Sequence, residues 1–272
     1  MTLALDERRR AMLTEMGLGG FAVLPLAPEQ RTAPEAAPVA PSLAREAAPA
    51  PRVAPAQPSS LQPIARVAVA APSAGGVPLL SWEELRQAVT ECRACGLCDG
   101  RTTTVFGVGD PQPDWLVVGE APGEQEDLQG EPFVGQAGKL LDNMLRAIGL
   151  DRQRKVYIAN VLKCRPPGNR NPDPAEVAQC EPFLRRQVEL LQPRIILAMG
   201  RFAVQSLLGS TEPIGRLRGR VHQYQGVPLV VTYHPAYLLR NLPEKAKAWA
   251  DLCLALEQVR AQADAGSGKS GL

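Results

Sequence analysis

The sequence has no long apolar run, few aromatic side chains, only two histidines and almost no net charge. No apolar stretch approaches the roughly 18 residues that a membrane-spanning helix needs, which excludes a transmembrane protein. Acidic residues interrupt the first segment where a secretory signal would have an unbroken apolar core. We therefore expect a cytoplasmic protein. The net charge of +2 indicates no particular class of partner by itself.

Alanine and proline, in contrast, are abundant and unevenly distributed. They dominate residues 27–78, which contain too few large apolar side chains to offset the entropy of ordering, so we predict a disordered linker there. In the N-terminal segment, residues 1–26, the spacing of Leu5, Met12 and Met16 is near helical. This segment is either a short amphipathic helix that docks on a protein partner or a frayed, solvated terminus.

One globular domain is predicted over residues 79–263, followed by a flexible tail at 264–272. The predicted strands are 114–119, 156–162, 194–199, 221–224 and 227–233. The predicted helices are 82–90, 136–148, 173–191, 202–208 and 244–261. Apolar strands that alternate with helices favour an α/β fold, with three αβα layers around a mostly parallel sheet.

The cysteine spacing is the most specific pattern in the chain. Cys92 and Cys95 form a C-x2-C pair, and Cys164 and Cys180 follow far downstream. Two distant pairs can converge on one metal centre, which favours an iron–sulfur cluster that ties the start of the domain to its middle. Four thiolates also suit a structural zinc ion. Cys98 makes C-x2-C-x2-C a rival first half of the site.

Disulfides are the alternative use of six cysteines. A chain of this size does not need such cross-links and no secretory signal is evident, so metal binding is favoured. Cys253 lies in a leucine- and alanine-rich helical stretch, where a buried thiol without a metal is expected.

Three polar motifs follow three predicted strands: GEAPG, NVLKCRPP and HPAYLLR. In parallel sheets, ligands bind beyond the carboxyl ends of the strands, so we expect the motifs to share one site. Glu120 would project a carboxylate into it. Asn160 presents a donor and an acceptor that match the edge of a uracil-like ring, although Asn at a strand end is also a common turn former. His234 stands where Pro235 fixes the backbone; the other histidine, His222, is predicted to be structural.

Two further motifs suggest contacts with a flat ring and with nucleic acid. Phe133 lies in a polar loop after the acidic Glu126, where it suits stacking on a ring or anchoring in the core. Leu238, Leu239 and Arg240 are predicted to form a loop. They are either a packing turn or a wedge that enters a base stack, with Arg240 on a phosphate.

Basic side chains collect in the predicted loops, where they suit phosphate contacts or a solvated surface. They are Arg165, Arg170, Arg216, Arg218, Arg220 and Arg240.

The motifs GEAPGEQED, PFVGQAG, NVLKCRPPGNRNP and HPAYLLR resemble those of the family 4 uracil-DNA glycosylases, which carry a four-cysteine iron–sulfur cluster. The resemblance covers roughly residues 91–260 in the correct order and leaves the N-terminal extension outside. It implies a [4Fe-4S] cluster. The implied cluster ligands are Cys92, Cys95, Cys164 and Cys180.

The resemblance also implies roles for the site residues. Phe133 would stack on a flipped uracil, Asn160 would read its edge, and the backbone at Ala121 would contact it. His234 would hydrogen-bond the leaving base, and Glu120 would position water and stabilise the cationic sugar. Glu126 is a further carboxylate near the water or behind the site.

The implied function is excision of uracil from single- or double-stranded DNA by a monomeric repair enzyme. Two other classes remain open. An iron–sulfur redox protein would use the cysteines but give no role to GEAPGEQED or HPAYLLR. A non-catalytic DNA-binding protein would use only the basic loops.

Overall fold

The computed structural model describes residues 77–267. The whole N-terminal segment, all but the end of the linker, and the last five residues of the predicted tail lie outside them. The strands are β1 Val108–Gly109, β2 Trp115–Gly119, β3 Val156–Asn160, β4 Ile195–Met199, β5 Val221–Tyr224 and β6 Val227–Thr232. The helices are α1 Trp82–Glu91, α2 Glu124–Gln129, α3 Gln136–Ala147, α4 Pro174–Leu191, α5 Arg201–Leu208, α6 Ile214–Leu217, α7 Pro235–Arg240 and α8 Lys245–Ser267.

Helix starts follow local sequence signals. Asp173 precedes α4, Pro174 is its first residue, and the Glu176 carboxylate accepts a hydrogen bond from the Asp173 amide at 2.9 Å. Ser81 and Glu84 make the same contact at the start of α1, at 2.8 Å. Both are capping arrangements that satisfy a backbone donor at a helix start.

The six strands form one mixed sheet in the order β1-β3-β2-β4-β6-β5. The four central strands are parallel, and the two edge strands are antiparallel to their neighbours. The mostly parallel sheet predicted from the sequence is therefore confirmed. Its geometry brings the carboxyl ends of β2, β3, β4 and β6 to one edge.

Alternate residues of the strands pack into two separate apolar clusters, one on each face of the sheet. Val117, Ile158 and Leu197 pack with α3, α7 and α8. Val118, Ala159 and Ala198 pack with α4, α5 and α6. The three-layer arrangement is confirmed, because each face of a buried parallel sheet is covered by helices.

Helix α1 packs on a third cluster at one end of the domain. Leu85 and Val89 of this helix contact a group that includes Phe183, Cys164 and Cys180. The N-terminal part of the described chain is therefore joined to α4 around the cysteines.

One local prediction was wrong, and two short elements were not predicted. Leu238, Leu239 and Arg240 do not lie in a loop, because residues Pro235–Arg240 form helix α7 with His234 as its N-cap. The short helix α2 follows GEAPG, and β1 pairs with β3; neither was predicted. Helix α8 continues to Ser267, so the first residues of the predicted tail are helical. No helix among the described residues is long and apolar enough to cross a membrane.

Candidate active site and cysteine-lined cavity

A pocket of about 860 Å³ opens beyond the carboxyl ends of the parallel strands. It brings together the motifs that follow β2, β3 and β6. The predicted site residues on its walls are Glu120, Ala121, Glu126, Phe133, Asn160, His234 and Arg240. The sheet topology therefore unites side chains that are far apart in sequence.

Phe133 and His234 form one wall of this pocket. Their rings are stacked, with centroids 5.4 Å apart and planes inclined by 27°. Phe133 also belongs to the core cluster under α3, so it is both a core anchor and a pocket residue. Its flat face and the imidazole beside it suit a planar ligand.

The imidazole of His234 is held in a defined state. Its Nδ1 accepts a hydrogen bond from the Ala236 amide at 3.1 Å, and burial lowers its pKa to about 4. At neutral pH the ring is therefore uncharged, and the proton is on Nε2. Among residues 77–267 no protein group is hydrogen-bonded to Nε2, which leaves this N–H for a ligand.

Glu120 provides a carboxylate in the same pocket. Burial raises its pKa to about 7, and the positive charge of Arg201 partly opposes this rise. A group with this pKa changes its charge near neutral pH and can act as a base or as a stabiliser of positive charge.

Asn160 ends β3 and is buried, with about 2% of its surface exposed. Its carboxamide makes no hydrogen bond to another group within the described chain, although its backbone carbonyl does. Gly119 lies against it, because a Cβ there would overlap Asn160 Oδ1 and lie 2.7 Å from the Phe133 ring. Because Asn160 lies on the pocket wall, its carboxamide is available to a ligand there.

Both carboxylate oxygens of Glu126 accept hydrogen bonds from backbone amides, as in a supporting group and not in one that activates water. Its Oε1 accepts hydrogen bonds from the amides of Val134 and Gly135, at 3.0 and 3.3 Å. Its Oε2 accepts one from the Gly123 amide at 3.1 Å. The carboxylate thus ties the GEAPG turn to the loop that carries Phe133.

Arg152, which sequence reasoning missed, fixes the other side of the Phe133 loop. Its Nη2 donates to the carbonyls of Pro132 and Phe133, at 3.0 and 3.2 Å, and its Nε lies 3.4 Å from Asp142 Oδ1. Phe133 has a φ of 56°, which is unfavourable for a residue with a side chain. A Cβ at Gly138 would overlap the Phe133 carbonyl, so a glycine is needed there.

Of the two leucines predicted to form a wedge, only one is exposed to solvent. Leu238 has 0% of its surface exposed and packs in the core, whereas Leu239 is 42% exposed. The prediction of a leucine pair directed at DNA is therefore corrected to Leu239 alone. Arg240 is exposed beside the pocket.

The arginines predicted to lie in loops divide into two groups, although Arg216 and Arg240 are in helices α6 and α7. Arg218 forms an ion pair with the buried Asp251 at 2.8 Å, which gives it a structural role. Arg170 pairs with Glu176 at 2.5 Å but is exposed on the pocket wall. Arg216 and Arg220 are exposed and form no ion pair within the described residues. His222 Nε2 lies 2.7 Å from the Leu217 carbonyl, in accord with its predicted structural role.

The cysteines line a second, smaller cavity between α1 and α4. Cys92, Cys95, Cys98, Cys164 and Cys180 all lie on its wall. None of the six cysteines forms a disulfide, so that alternative is wrong. Burial raises the pKa of Cys180 to about 12, and Arg101 Nη1 donates to Cys164 Sγ at 3.1 Å.

These cysteines fit a multi-iron group by their chemistry, because thiolates are the ligands of iron–sulfur clusters. They converge from two distant parts of the chain on one largely apolar cavity, and a positive guanidinium already contacts one of the sulfurs. Within residues 77–267, no group of three or more His, Cys, Asp or Glu side chains is arranged to hold a single metal ion.

Comparison with known proteins agrees with this architecture. The family model for the uracil DNA glycosylase superfamily matches residues 106–253, and the chain belongs to this superfamily. The chain is 45% identical to the type-4 uracil-DNA glycosylase of Archaeoglobus fulgidus, over 58% of this chain and 83% of that protein. It is 46% identical to the type-4 enzyme of Thermotoga maritima, over 58% and 85% of the two chains. The match to the type-4 enzyme of Pyrobaculum aerophilum is 38%, over 63% and 91%.

Proposed function

We propose that this protein is a DNA-repair enzyme that hydrolyses the N-glycosidic bond between uracil and deoxyribose and leaves an abasic site. The observation that carries this proposal is the pocket in which Asn160 and His234 direct unsatisfied polar groups beside the ring of Phe133. Its family membership and the type-4 relatives support the same activity.

Recognition begins with extrusion of the base from the DNA stack, which costs a few kcal/mol. Phe133 then stacks on the uracil ring, and the Asn160 carboxamide donates to and accepts from the pyrimidine edge. The backbone at Ala121 contributes further contacts from the opposite side of the pocket. Gly119 packs closely against Asn160 and Phe133, which fixes the position of the carboxamide relative to the ring.

Bond cleavage develops negative charge on the leaving uracil and positive charge on the sugar. The neutral His234 donates its Nε2 proton in a hydrogen bond to a uracil oxygen, and one such donor is worth about 2.7–4 kcal/mol in the transition state. The ionised Glu120 stabilises the oxocarbenium-like sugar and orients the water that adds to C1′. The bond between C1′ and the uracil nitrogen breaks, and uracil leaves as its anion. The water oxygen bonds to C1′ and passes a proton to the Glu120 carboxylate, from which it reaches solvent or the uracil anion.

DNA is held by groups around the pocket mouth. Leu239 enters the space left by the extruded base, and Arg240 contacts a phosphate. Arg216 in α6 and Arg220 just before β5 are exposed, and they add non-specific attraction to the DNA backbone.

Cys92, Cys95, Cys164 and Cys180 would hold a [4Fe-4S] cluster. When bound, it supplies a structural tie between the segment after α1 and helix α4, because metal binding is coupled to folding. Cys98 lines the same cavity and is the alternative ligand within the first cysteine group.

The test is a single-turnover assay on an end-labelled oligonucleotide that contains one uracil, followed by alkali to cleave abasic sites. We expect cleavage at uracil and none in matched oligonucleotides with cytosine or thymine. Glu120→Gln is the inactive control, since it retains the shape of the side chain. Binding to the uracil oligonucleotide without strand cleavage would instead indicate a non-catalytic DNA-binding protein.

A further inference from the structure

Lys163 is a buried cation whose hydrogen-bond partners are neutral. Only 1% of its surface is exposed. Its Nζ donates to the Asn160 carbonyl at 2.8 Å and to Gln187 Oε1 at 2.6 Å. No carboxylate in residues 77–267 forms an ion pair with it. A buried ammonium is strongly unfavourable unless a negative group compensates its charge.

The negative group that the surroundings can provide is a cluster of thiolates. Lys163 lines the cysteine cavity together with Cys164 and Cys180. An iron–sulfur cluster with four thiolate ligands carries net negative charge. Its reduction potential depends on that charge and on charged groups close to it. A buried ammonium beside it would therefore be compensated.

The same side chain reaches the base-recognition site. The Asn160 carbonyl that Lys163 holds belongs to the residue whose carboxamide faces the pocket. Gln187 completes the arrangement, because its Nε2 donates to the Phe106 carbonyl at 2.9 Å and so fixes the Oε1 that accepts from Lys163.

We infer that Lys163 is the buried counter-cation of the cluster site and, through the Asn160 carbonyl, a positioning residue for base recognition. This inference rests on the proposed cluster and the proposed role of Asn160. One side chain thus connects the cysteine cavity with the backbone of a pocket residue, and a change at the first site reaches the second through it.

The first measurement is the midpoint potential of the cluster in the full-length protein, by redox titration followed by electron paramagnetic resonance. A cation stabilises the more negative, reduced cluster. Lys163→Met should therefore lower the ratio of reduced to oxidised cluster about tenfold at a fixed potential, which is about 59 mV for a one-electron couple. Phe183→Leu is the matched control, because Phe183 lines the same cavity and carries no charge.

The second measurement is competitive inhibition of uracil excision by free uracil, which reports the pocket rather than the cluster. Lys163→Met should weaken inhibition roughly tenfold, the scale for one lost hydrogen bond from a charged donor. Lys163→Gln removes the charge but retains an amide donor. It should shift the potential as Lys163→Met does and weaken uracil inhibition less.

The outcomes separate this inference from the proposed function. Unchanged potentials in both Lys163 variants, or an equal shift in Phe183→Leu, would overturn the counter-cation role. Loss of the cluster from both Lys163 variants, with retention in Phe183→Leu, would support it. If the wild-type protein contained no iron, both the counter-cation role and the cluster assignment would be overturned. A wild-type protein with the cluster but without uracil excision would overturn the proposed function and the positioning role of Lys163. The counter-cation role would still be tested separately, because the potentials can be measured without activity.

Discussion

The imidazole of His234 stacks on the ring of Phe133, with their centroids 5.4 Å apart. One residue follows the last parallel strand, and the other lies in the loop before α3. The ring proposed to stack on the base and the imidazole proposed to stabilise its departing charge thus pack against each other. A displacement of either ring therefore moves the other.

The donor role of His234 can be tested against the other histidine of the chain. His234→Ala should reduce single-turnover cleavage by roughly two to three orders of magnitude, because it removes one charge-stabilising donor. DNA affinity should change little, since phosphate contacts supply most of it. His222→Ala is the control at an edge strand outside the pocket. A normal cleavage rate in His234→Ala would refute the assigned mechanism.

Glu120 should determine the pH dependence of excision. Its pKa is raised to about 7, so its carboxylate is mostly protonated below that pH and ionised above it. The single-turnover rate should therefore rise about tenfold per pH unit below pH 7 and level off above it. His234 has a pKa of about 4 and remains a neutral donor throughout this window. A Glu120→Gln variant with the same rising limb would show that another group titrates.

Arg152 should act on uracil binding through the Phe133 loop. Arg152→Met leaves the carbonyls of Pro132 and Phe133 without their donor, so Phe133 can leave its strained conformation. We expect roughly tenfold weaker inhibition by free uracil and a loss of about 1–3 kcal/mol in unfolding free energy. Arg154→Met is the control, because Arg154 is exposed on the loop that carries Arg152. Wild-type uracil inhibition in Arg152→Met would contradict this role.

Leu239 and Leu238 should behave differently although they are neighbours. Leu239→Ala should slow excision from a stable duplex more than from a single strand, where little unstacking is needed. Leu238→Ala should cost about 2–5 kcal/mol of stability, because it leaves a cavity in the core. Excision from duplex and single-stranded substrates, with thermal unfolding of both variants, provides the comparison. Equal losses on both substrates in Leu239→Ala would rule out the wedge.

The cysteine ligands can be tested by metal content. Purified protein should be brown, with about four irons per chain. Cys164→Ser should lose iron and solubility, since metal binding is coupled to folding. Cys98→Ser should retain both if Cys92 and Cys95 form the first ligand pair. Colourless protein with one zinc would contradict the iron–sulfur assignment.

Much of the fold could be predicted because the relevant signals are local. The strand cores are apolar runs, and Asp173, Pro174 and Glu176 mark the start of a long helix within a few residues. The two-residue strand β1 has no periodicity to detect, since its strand character comes from pairing with β3. Helix α7 has only six residues, too few for a helical pattern to be distinguished from a turn.

The candidate site was predictable where residue type and strand position sufficed. Glu120, Asn160 and His234 each follow an apolar strand, and parallel strands bring their carboxyl ends to one edge. The contacts of Glu126, Arg152 and Lys163 were not predictable in this way. Most of their partners are backbone groups of other loops and side chains of helices α3 and α4, which no spacing in the sequence indicates.

The sequence by itself determined the alternation of strands and helices, the set of polar residues at strand ends and the cysteine spacing. Each follows from local pattern or from residue chemistry. Only the tertiary structure decided that Leu238 is buried in the core while Leu239 is exposed, and that Arg218 forms an ion pair with Asp251. Burial and ion pairing depend on which distant surfaces meet, and that is decided when the helices pack on the sheet.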